Sequence, residues 1–229
     1  MRGMVRWMSR HALDALAPER CAACAATVPA ETLFCHACHA MVNVLESPLS
    51  VRRGSSPHDD DVGWARAFAR YDGDAVPHPV ADALHAFKYR GAWRLAPRLA
   101  SAMARCVPVP TATPLVVPVP LHAARLRARG FNQSALLARH IGRIHRWPVA
   151  PRLLMRTRDT PSQTTLPAAA RHANVDGAFA VRWLGAAHRR HILLIDDVWT
   201  SGATARAVAR VLRRAGAATV DVLTFARVV

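Results

Sequence analysis

The fold expected for this chain follows mainly from one stretch, Ile192-Leu-Leu-Ile195-Asp196-Asp197-Val-Trp-Thr200-Ser-Gly-Ala-Thr204. Its four leading aliphatic residues predict a buried parallel strand, because a strand covered on both faces is apolar throughout. Two adjacent acids stand at the carboxyl end of this strand, where open α/β sheets bind their ligands. A helix is expected over residues 205–215, with Gly216 ending it. The predicted fold class is therefore α/β, a parallel sheet flanked by helices.

The small residues between this strand and helix predict a phosphate-binding loop. Hydroxyls and backbone N–H groups at a helix N-terminus bind phosphate. Asp196 and Asp197 would repel a bare phosphate but suit ribose hydroxyls or Mg²⁺, so the predicted ligand is a sugar 5-phosphate. The Gly-Lys-[Ser/Thr] of a Walker loop and the Gly-x-Gly-x-x-Gly of dinucleotide folds are both absent. The alternative is a strand whose acids only cap the helix. The predicted phosphate-binding residues are Thr200, Ser201, Gly202, Ala203 and Thr204.

Upstream patterns predict the remaining elements. Residues 65–71 and 115–117 read as strands, and residues 80–87, 93–106 and 134–145 read as helices. Prolines follow the second strand and predict a rigid loop over residues 118–133. That loop carries Arg125, Arg127 and Arg129 ahead of Asn132, a predicted helix N-cap. We interpret it as an anion-binding loop; a merely solvated basic loop is the alternative.

Two more cationic stretches are candidate anion sites. Lys88 stands in Phe87-Lys-Tyr-Arg-Gly91, which could hold a phosphate or could be a helix end whose cations complement the helix dipole. Residues 152–181 contain Arg156 and Gln163 and fit either a polar lid between two strands or an ordinary surface loop.

Four of the five cysteines form two Cys-x-x-Cys pairs, Cys21/Cys24 and Cys35/Cys38. Two such turns facing each other create the closed four-sulfur cage of structural zinc sites. An iron–sulfur cluster also takes four cysteines and stays open as an alternative. Disulfides are disfavoured without a secretion signal. Cys106, the fifth, is expected to be a small buried hydrophobe.

Charge and length suggest the broad class of the protein. The 229 residues predict one main domain, over residues 62–229, a small N-terminal module over 1–46 and a linker over 47–61. Arginine supplies nearly all of the positive charge behind the net charge of +16, since Lys88 is the only lysine. It indicates an anionic partner or GC-rich coding. Residues 4–16 could form a basic amphipathic helix that packs on its own domain, a partner or a membrane surface. No signal peptide or membrane span is recognisable, so a cytoplasmic location is expected.

Several blocks together resemble a known family. Residues 192–204 resemble the phosphoribosyl-pyrophosphate (PRPP) motif of type I phosphoribosyltransferases. The order of further blocks is similar to that of the ComF family, the ComFC or GntX-like competence-associated proteins. These blocks are the four cysteines, Phe87-Lys-Tyr-Arg-Gly91, Val117-Pro-Val-Pro-Leu-His122, Arg129-Gly-Phe-Asn-Gln133 and Gln163-Thr164.

The resemblance implies magnesium-dependent PRPP binding, a structural zinc module and a role in bacterial DNA uptake during natural transformation. It implies that Asp196 and Asp197 hold the ribose hydroxyls and that residues 200–204 bind the 5-phosphate. Residues 118–129 would meet the pyrophosphate, Arg156 to Gln163 would lie in a lid, and Lys88 would join the site. The acceptor is not implied.

Two functions are therefore expected. In the first, the protein transfers phosphoribose from PRPP to an unknown nitrogenous acceptor. In the second, the PRPP site is a sensor or relic, and the protein is a non-catalytic competence factor that binds single-stranded DNA or a helicase partner. Stacking platforms for bases are not evident in the sequence, which counts against direct strand binding.

Overall fold

The structure is a computed structural model that describes residues 18–45, 61–71, 77–160, 175–183 and 185–228. The expected helix over 4–16, most of the expected linker and the site residue Gln163 lie outside these residues. The division into domains stays a prediction. None of the described helices is long and apolar enough to cross a membrane.

The described chain forms a four-stranded, fully parallel sheet with the strand order β1-β6-β5-β2. A separate antiparallel ribbon joins β3 to β4. The predicted α/β class is confirmed. The strands are β1 (Ala65–Tyr71), β2 (Leu115–Pro118), β3 (Leu154–Arg156), β4 (Phe179–Val181), β5 (His191–Trp199) and β6 (Thr219–Val228).

Helices cover both faces of the sheet. They are α1 (His36–Ala40), α2 (Pro79–Tyr89), α3 (Ala96–Ala104, preceded by a 3₁₀ turn Trp93–Leu95), α4 (Ala123–Arg129), α5 (Gln133–His145) and α6 (Ala203–Arg214). On one face, α2, α3, α5 and the cysteine module share a core with Leu193 and Ile195 of β5. On the other face, α6 and the ribbon pack on Ile192 and Leu194. The alternation of aliphatic residues along β5 thus supplies both cores.

Strand β5 is longer than the sequence predicts, and this creates an opening in the sheet. Its pairing with β6 continues to Trp199, whereas its pairing with β2 ends where Pro118 meets Ile195. Proline lacks the N–H that a ladder needs, and the run of prolines after Val117 takes β2 away from the sheet. Asp196 and Asp197 therefore lie within β5, just past the last residue of its shorter neighbour.

The expected loop over residues 118–133 is wrong in its middle part, because residues 123–129 form the helix α4. Alanine, leucine and arginine all favour helix, and the prolines end before this segment begins, so they do not prevent it. The His122 ring accepts a hydrogen bond from the Ala124 N–H, and Gly130 ends the helix with φ +82°. The arginines of this segment consequently stand on a helix.

The other expected elements agree with the structure to within a few residues. The Asn132 side chain caps α5 as predicted, accepting a hydrogen bond from the Ala135 N–H at 3.3 Å. Helix α6 starts at Ala203 rather than 205, and Gly216 follows its end with φ +88°. The expected lid stretch, residues 152–181, contains the paired strands β3 and β4. Residues 161–174 between them lie outside the described residues.

The cysteine module packs against α3 through one buried cation. The Arg98 side chain is only 8% exposed and donates hydrogen bonds to the carbonyls of Arg20 and Thr32 at 2.9 and 2.7 Å. It also forms an ion pair with Glu19 at 3.0 Å. Because a buried guanidinium is costly to leave unpaired, these contacts tie the module to the main core.

Candidate functional site

A cleft lies above the carboxyl ends of β5 and β6, at the point where β2 has left the sheet. This is the edge at which open α/β sheets bind ligands. The two acids of β5, the loop after β5 and several cationic side chains line this cleft. Its polar and aromatic lining residues are Lys88, Tyr89, Arg125, Arg129, Gln133, Ser134, Arg156, Asp196, Asp197, Trp199, Thr200, Thr204 and Thr224.

Asp197 is the more buried of the two acids and carries a fixed counterion. Its Oδ2 lies 2.7 Å from the Nζ of Lys88, a residue in the last turn of α2. The Gln133 amide donates a hydrogen bond to the same oxygen at 3.4 Å. Burial raises the pKa of Asp197, but the Lys88 charge and then Arg129 outweigh it and hold this pKa below its usual value. Asp197 is therefore ionised.

Asp196 has the opposite character. Burial, followed by the adjacent Asp197 carboxylate, raises the pKa of Asp196 to about 7. Its Oδ1 accepts hydrogen bonds from the Ser134 hydroxyl at 3.0 Å and from the Asp197 N–H at 2.9 Å. These bonds favour the ionised form but do not cancel the burial effect. Around neutral pH the Asp196 carboxyl is therefore protonated in part of the molecules and ionised in the rest.

The two acids can thus form different hydrogen bonds with a pair of ligand hydroxyls. A protonated carboxyl donates a hydrogen bond and a carboxylate accepts one. Asp196 and Asp197 occupy adjacent positions in one strand and both line the cleft. An adjacent diol is a ligand that matches such a pair.

The loop after β5 has the form expected of an anion site. Gly202 is the N-cap of α6, with φ +76°. A Cβ at this position would lie 2.4 Å from the Trp199 ring, so glycine is required both for the backbone angle and for the space. Thr200, Gly202 and Thr204 line the cleft, with the positive end of the twelve-residue helix α6 beside them.

Cationic side chains also line the cleft. Arg125 and Arg156 both donate to Thr160 at the base of the β3–β4 connection, Arg125 to its carbonyl and Arg156 to its hydroxyl. Arg129 lies over the exposed Tyr89 ring, with its Cζ 5.0 Å from the centroid. Burial, and then the Arg125 charge, lower the pKa of Arg156. Asp159 lies 3.6 Å from Arg125, and the charges of Asp196 and Asp197 also act on Arg156 and Arg129.

The structure brings most of the predicted site residues together, but not all. Lys88 lines the cleft and forms an ion pair with Asp197 there. Arg127 is exposed on α4 and is not part of the cleft lining, and neither are Ser201 and Ala203. Their assignments, like that of Gln163, stay predictions. The residues brought together are Asp196, Asp197, Lys88, Arg125, Arg129, Arg156, Thr200, Gly202 and Thr204.

Three lining residues were missed from the sequence. Gln133 and Ser134 reach the acids from the first turn of α5, and Tyr89 stands at the cleft mouth with 62% of its surface exposed. The Gln133 Oε1 is buried and has no hydrogen-bond partner among the described residues. The motif Arg129-Gly-Phe-Asn-Gln133 contained the signal, because a side chain just after an N-cap points toward the ligand edge of the sheet.

A second site is the cluster of Cys21, Cys24, Cys35 and Cys38. Their sulfur atoms all lie within 4.8 Å of one another, and Cys24 and Cys35 are 3.7 Å apart. A tetrahedral zinc site with bonds of about 2.3 Å requires sulfur–sulfur distances of about 3.8 Å. The cluster can therefore hold a metal ion such as zinc. His36 and His39 are both exposed and lie outside the cluster.

The ionisation of the cluster also suits a cation. Burial raises the pKa of Cys21, but hydrogen bonds from the N–H groups of Cys35, Cys24 and Ala23 outweigh it and lower this pKa to about 6. Burial and the neighbouring thiols raise the pKa of Cys38. Cys21 thus ionises readily and Cys38 resists ionisation, and a bound dication would favour the thiolate form of both. Cys106 stands apart and is half-buried, and burial raises its pKa.

Comparisons with known proteins add a biological setting. No protein-family model matches the chain. It is 40% identical over 109 residues to a protein of Escherichia coli called DNA utilization protein YhgH, covering 47% of this chain and 46% of that one. It is 34% identical over 114 residues to Competence protein F of Haemophilus influenzae, covering 49% of each. The chain thus spans about half the length of the curated relatives it matches, and over that half the expected similarity to competence-associated proteins is confirmed.

Proposed function

We propose that the cleft binds PRPP and that the protein transfers its phosphoribosyl group to a nitrogenous acceptor, releasing pyrophosphate. The observation that carries this proposal is the complementary acid pair in the cleft, which a phosphate loop and cationic side chains also line. Few other ligands combine an adjacent diol with anionic groups at both ends of the molecule.

Each part of PRPP has a counterpart in the cleft. The ribose hydroxyls would bind Asp196 and Asp197, with the free Gln133 oxygen as a further acceptor. The 5-phosphate would bind the Thr200–Thr204 loop at the start of α6. The pyrophosphate would replace Thr160 as the partner of Arg125 and Arg156. Magnesium would enter with the pyrophosphate, neutralising part of its charge.

The transfer breaks the bond between ribose C1 and the pyrophosphate oxygen, and the electron pair leaves with pyrophosphate. The acceptor nitrogen forms the new bond to C1 and loses a proton. The arginines would stabilise charge on the departing pyrophosphate, and the ionised Asp197 would favour the cationic ribose. A lid over residues 152–181 would exclude water, the competing acceptor.

The names of the relatives support a role in DNA uptake or utilisation during competence. We propose this setting for the present chain, in the cytoplasm where the sequence expects it. We also propose that the cysteine cluster holds one structural zinc ion rather than an iron–sulfur cluster. A closed set of four thiolates leaves no open position for substrate.

A melting experiment tests PRPP binding. We expect PRPP with Mg²⁺ to raise the Tm, as any ligand specific to the folded state does. The double variant Asp196→Asn/Asp197→Asn should lose the shift, whereas Asp176→Asn, an acid 74% exposed elsewhere, should keep it. An unchanged shift in the double variant would overturn the assignment. Pyrophosphate release with a panel of bases then tests turnover.

A basic groove beside the cleft favours a second candidate, the binding of single-stranded DNA. It runs between α4, α5 and the β3–β4 ribbon and is lined by Phe131 and by the arginines Arg139, Arg152, Arg156 and Arg182. Such grooves follow a phosphate backbone, and their affinity falls steeply with salt. Arg139→Ala/Arg152→Ala should weaken binding of an oligonucleotide and reduce its salt dependence. The matched pair Arg189→Ala/Arg190→Ala, exposed at the other end of β5, should not.

A further inference from the structure

A second pocket lies at the opposite end of the sheet from the cleft. It sits where β5 and β6 begin, beneath the segment that joins α3 to β2. Trp64, Trp147 and Leu193 form apolar walls, a run of prolines from Pro108 forms the rim, and His191 and Asp221 are its charged or titratable lining. Leu193 precedes Asp196 by three residues, roughly 10 Å along an extended strand, so this pocket is separate from the proposed PRPP site.

Asp221 is unusual in a chain of net charge +16. Among the described residues, it forms no ion pair with any lysine or arginine. One carboxylate oxygen of Asp221 accepts a hydrogen bond from the backbone N–H of Trp64 at 3.0 Å. Gly63 lets the backbone approach this closely, because a Cβ there would lie 2.5 Å from the same oxygen. The fold therefore holds a half-buried carboxyl group in place, and among the described residues of the pocket lining the one titratable base near it is His191.

The aromatic walls add a preference for planar cations. Tryptophan is the side chain that attracts cations most strongly through its ring face. Trp64 already demonstrates this, because the Arg66 guanidinium lies 5.8 Å from its ring centroid. Arg66 itself is held by the Cys106 carbonyl at 3.0 Å and does not line the pocket. His191 is engaged with the Thr219 hydroxyl at 2.9 Å.

We infer that this pocket is a binding site for a small planar organic cation of the guanidinium or amidinium class. The cation forms an ion pair with Asp221 and packs between the tryptophan side chains and the proline rim. Charge and shape both favour this occupant. Among the described residues no lysine or arginine pairs with the carboxylate, and an apolar wall accommodates a flat, weakly hydrated cation better than a compact ammonium.

Benzamidine is a suitable probe, and benzamide is its neutral counterpart of nearly the same shape. We expect titration calorimetry with the whole chain to detect benzamidine and to find benzamide bound at least ten-fold more weakly. Asp221→Asn keeps the side-chain volume and the oxygen that accepts from Trp64, and it should weaken benzamidine binding at least ten-fold. Asp176→Asn should bind benzamidine as the unmodified chain does.

A second variant keeps the inference testable if Asp221→Asn does not fold. Trp147→Leu removes a wall without touching Asp221 and should also weaken benzamidine binding, while an unchanged far-ultraviolet circular dichroism spectrum checks that each variant has folded. Equal binding of benzamidine and benzamide, or undiminished benzamidine binding by both Asp221→Asn and Trp147→Leu, would overturn the inference. Neither result depends on whether PRPP binds.

Discussion

The Lys88 ammonium lies 2.7 Å from Asp197, and this ion pair gives two neighbouring carboxyl groups different protonation states. Without a cation, adjacent buried acids share one proton and neither has a defined role. With it, Asp197 is ionised and Asp196 carries the raised pKa. The only lysine of the chain is thus an internal counterion in the candidate site.

Replacing Lys88 by methionine should therefore disrupt both folding and ligand binding. The Asp197 carboxylate would be left buried without a partner, a loss of about 3–5 kcal/mol in the free energy of unfolding. We expect a lower Tm and a loss of the PRPP shift in differential scanning fluorimetry. Lys88→Arg keeps the charge and should retain part of both. Equal stability of Lys88→Met and the unmodified chain would show that the ion pair contributes nothing.

Asp196 should make stability depend on pH in a defined window. The unfolded state has an aspartate pKa of about 3.9, whereas the pKa of folded Asp196 is about 7. Between these values the unfolded chain releases the proton first, so the free energy of unfolding falls as pH rises through the window. The loss is roughly 1.4 kcal/mol per unit of pKa difference.

Urea denaturation at successive pH values measures this effect. The variant Asp196→Asn lacks the titrating group, so its stability relative to the unmodified chain should increase from pH 4 to pH 7 and level off above. The variant Asp176→Asn, at a 74% exposed position, should follow the unmodified chain. A stability difference for Asp196→Asn that stays constant across the window would contradict the raised pKa.

Gly202 offers a test of the phosphate loop. An alanine there meets the Trp199 ring at 2.4 Å and the Arg206 guanidinium at 2.8 Å, in addition to the unfavourable φ of +76°. Gly177→Ala is the matched control, since its φ is +64° but its Cβ meets nothing within 4 Å. We expect Gly177→Ala to cost only the backbone strain, about 1–2 kcal/mol. Gly202→Ala should cost more and should also abolish the PRPP shift; equal effects would count against the loop assignment.

Metal analysis tests the cysteine cluster. We expect one zinc per chain by plasma mass spectrometry, with no iron and no visible absorption band. Cys24→Ser should lose the metal and lower the Tm, because metal binding contributes directly to the folding free energy of such modules. Cys106→Ser, away from the cluster, should keep the full metal content. A metal content unchanged by Cys24→Ser would exclude the cluster as the site.

Local patterns predicted much of the fold. The aliphatic run before Asp196 predicted β5, the Asn132 side chain predicted the start of α5, and the cysteine spacing predicted the cluster. Each of these signals depends on residues close together in the chain, where backbone preferences and side-chain alternation act directly. The helix over residues 123–129 was mistaken for a loop because the prolines before it outweighed its helix-forming residues.

The amino-acid pattern along the chain is sufficient to predict the parallel sheet, the acids at its ligand edge and the four-cysteine module. The pairing of Lys88 with Asp197 and the hydrogen bonds from Gln133 and Ser134 to the two acids become evident only in the folded chain. The same is true of the pocket that Asp221 shares with two tryptophans from distant segments. These contacts join residues far apart in the chain, so they exist only after the helices have packed on the sheet and excluded water. Burial then sets the protonation of each acid, which no local pattern encodes.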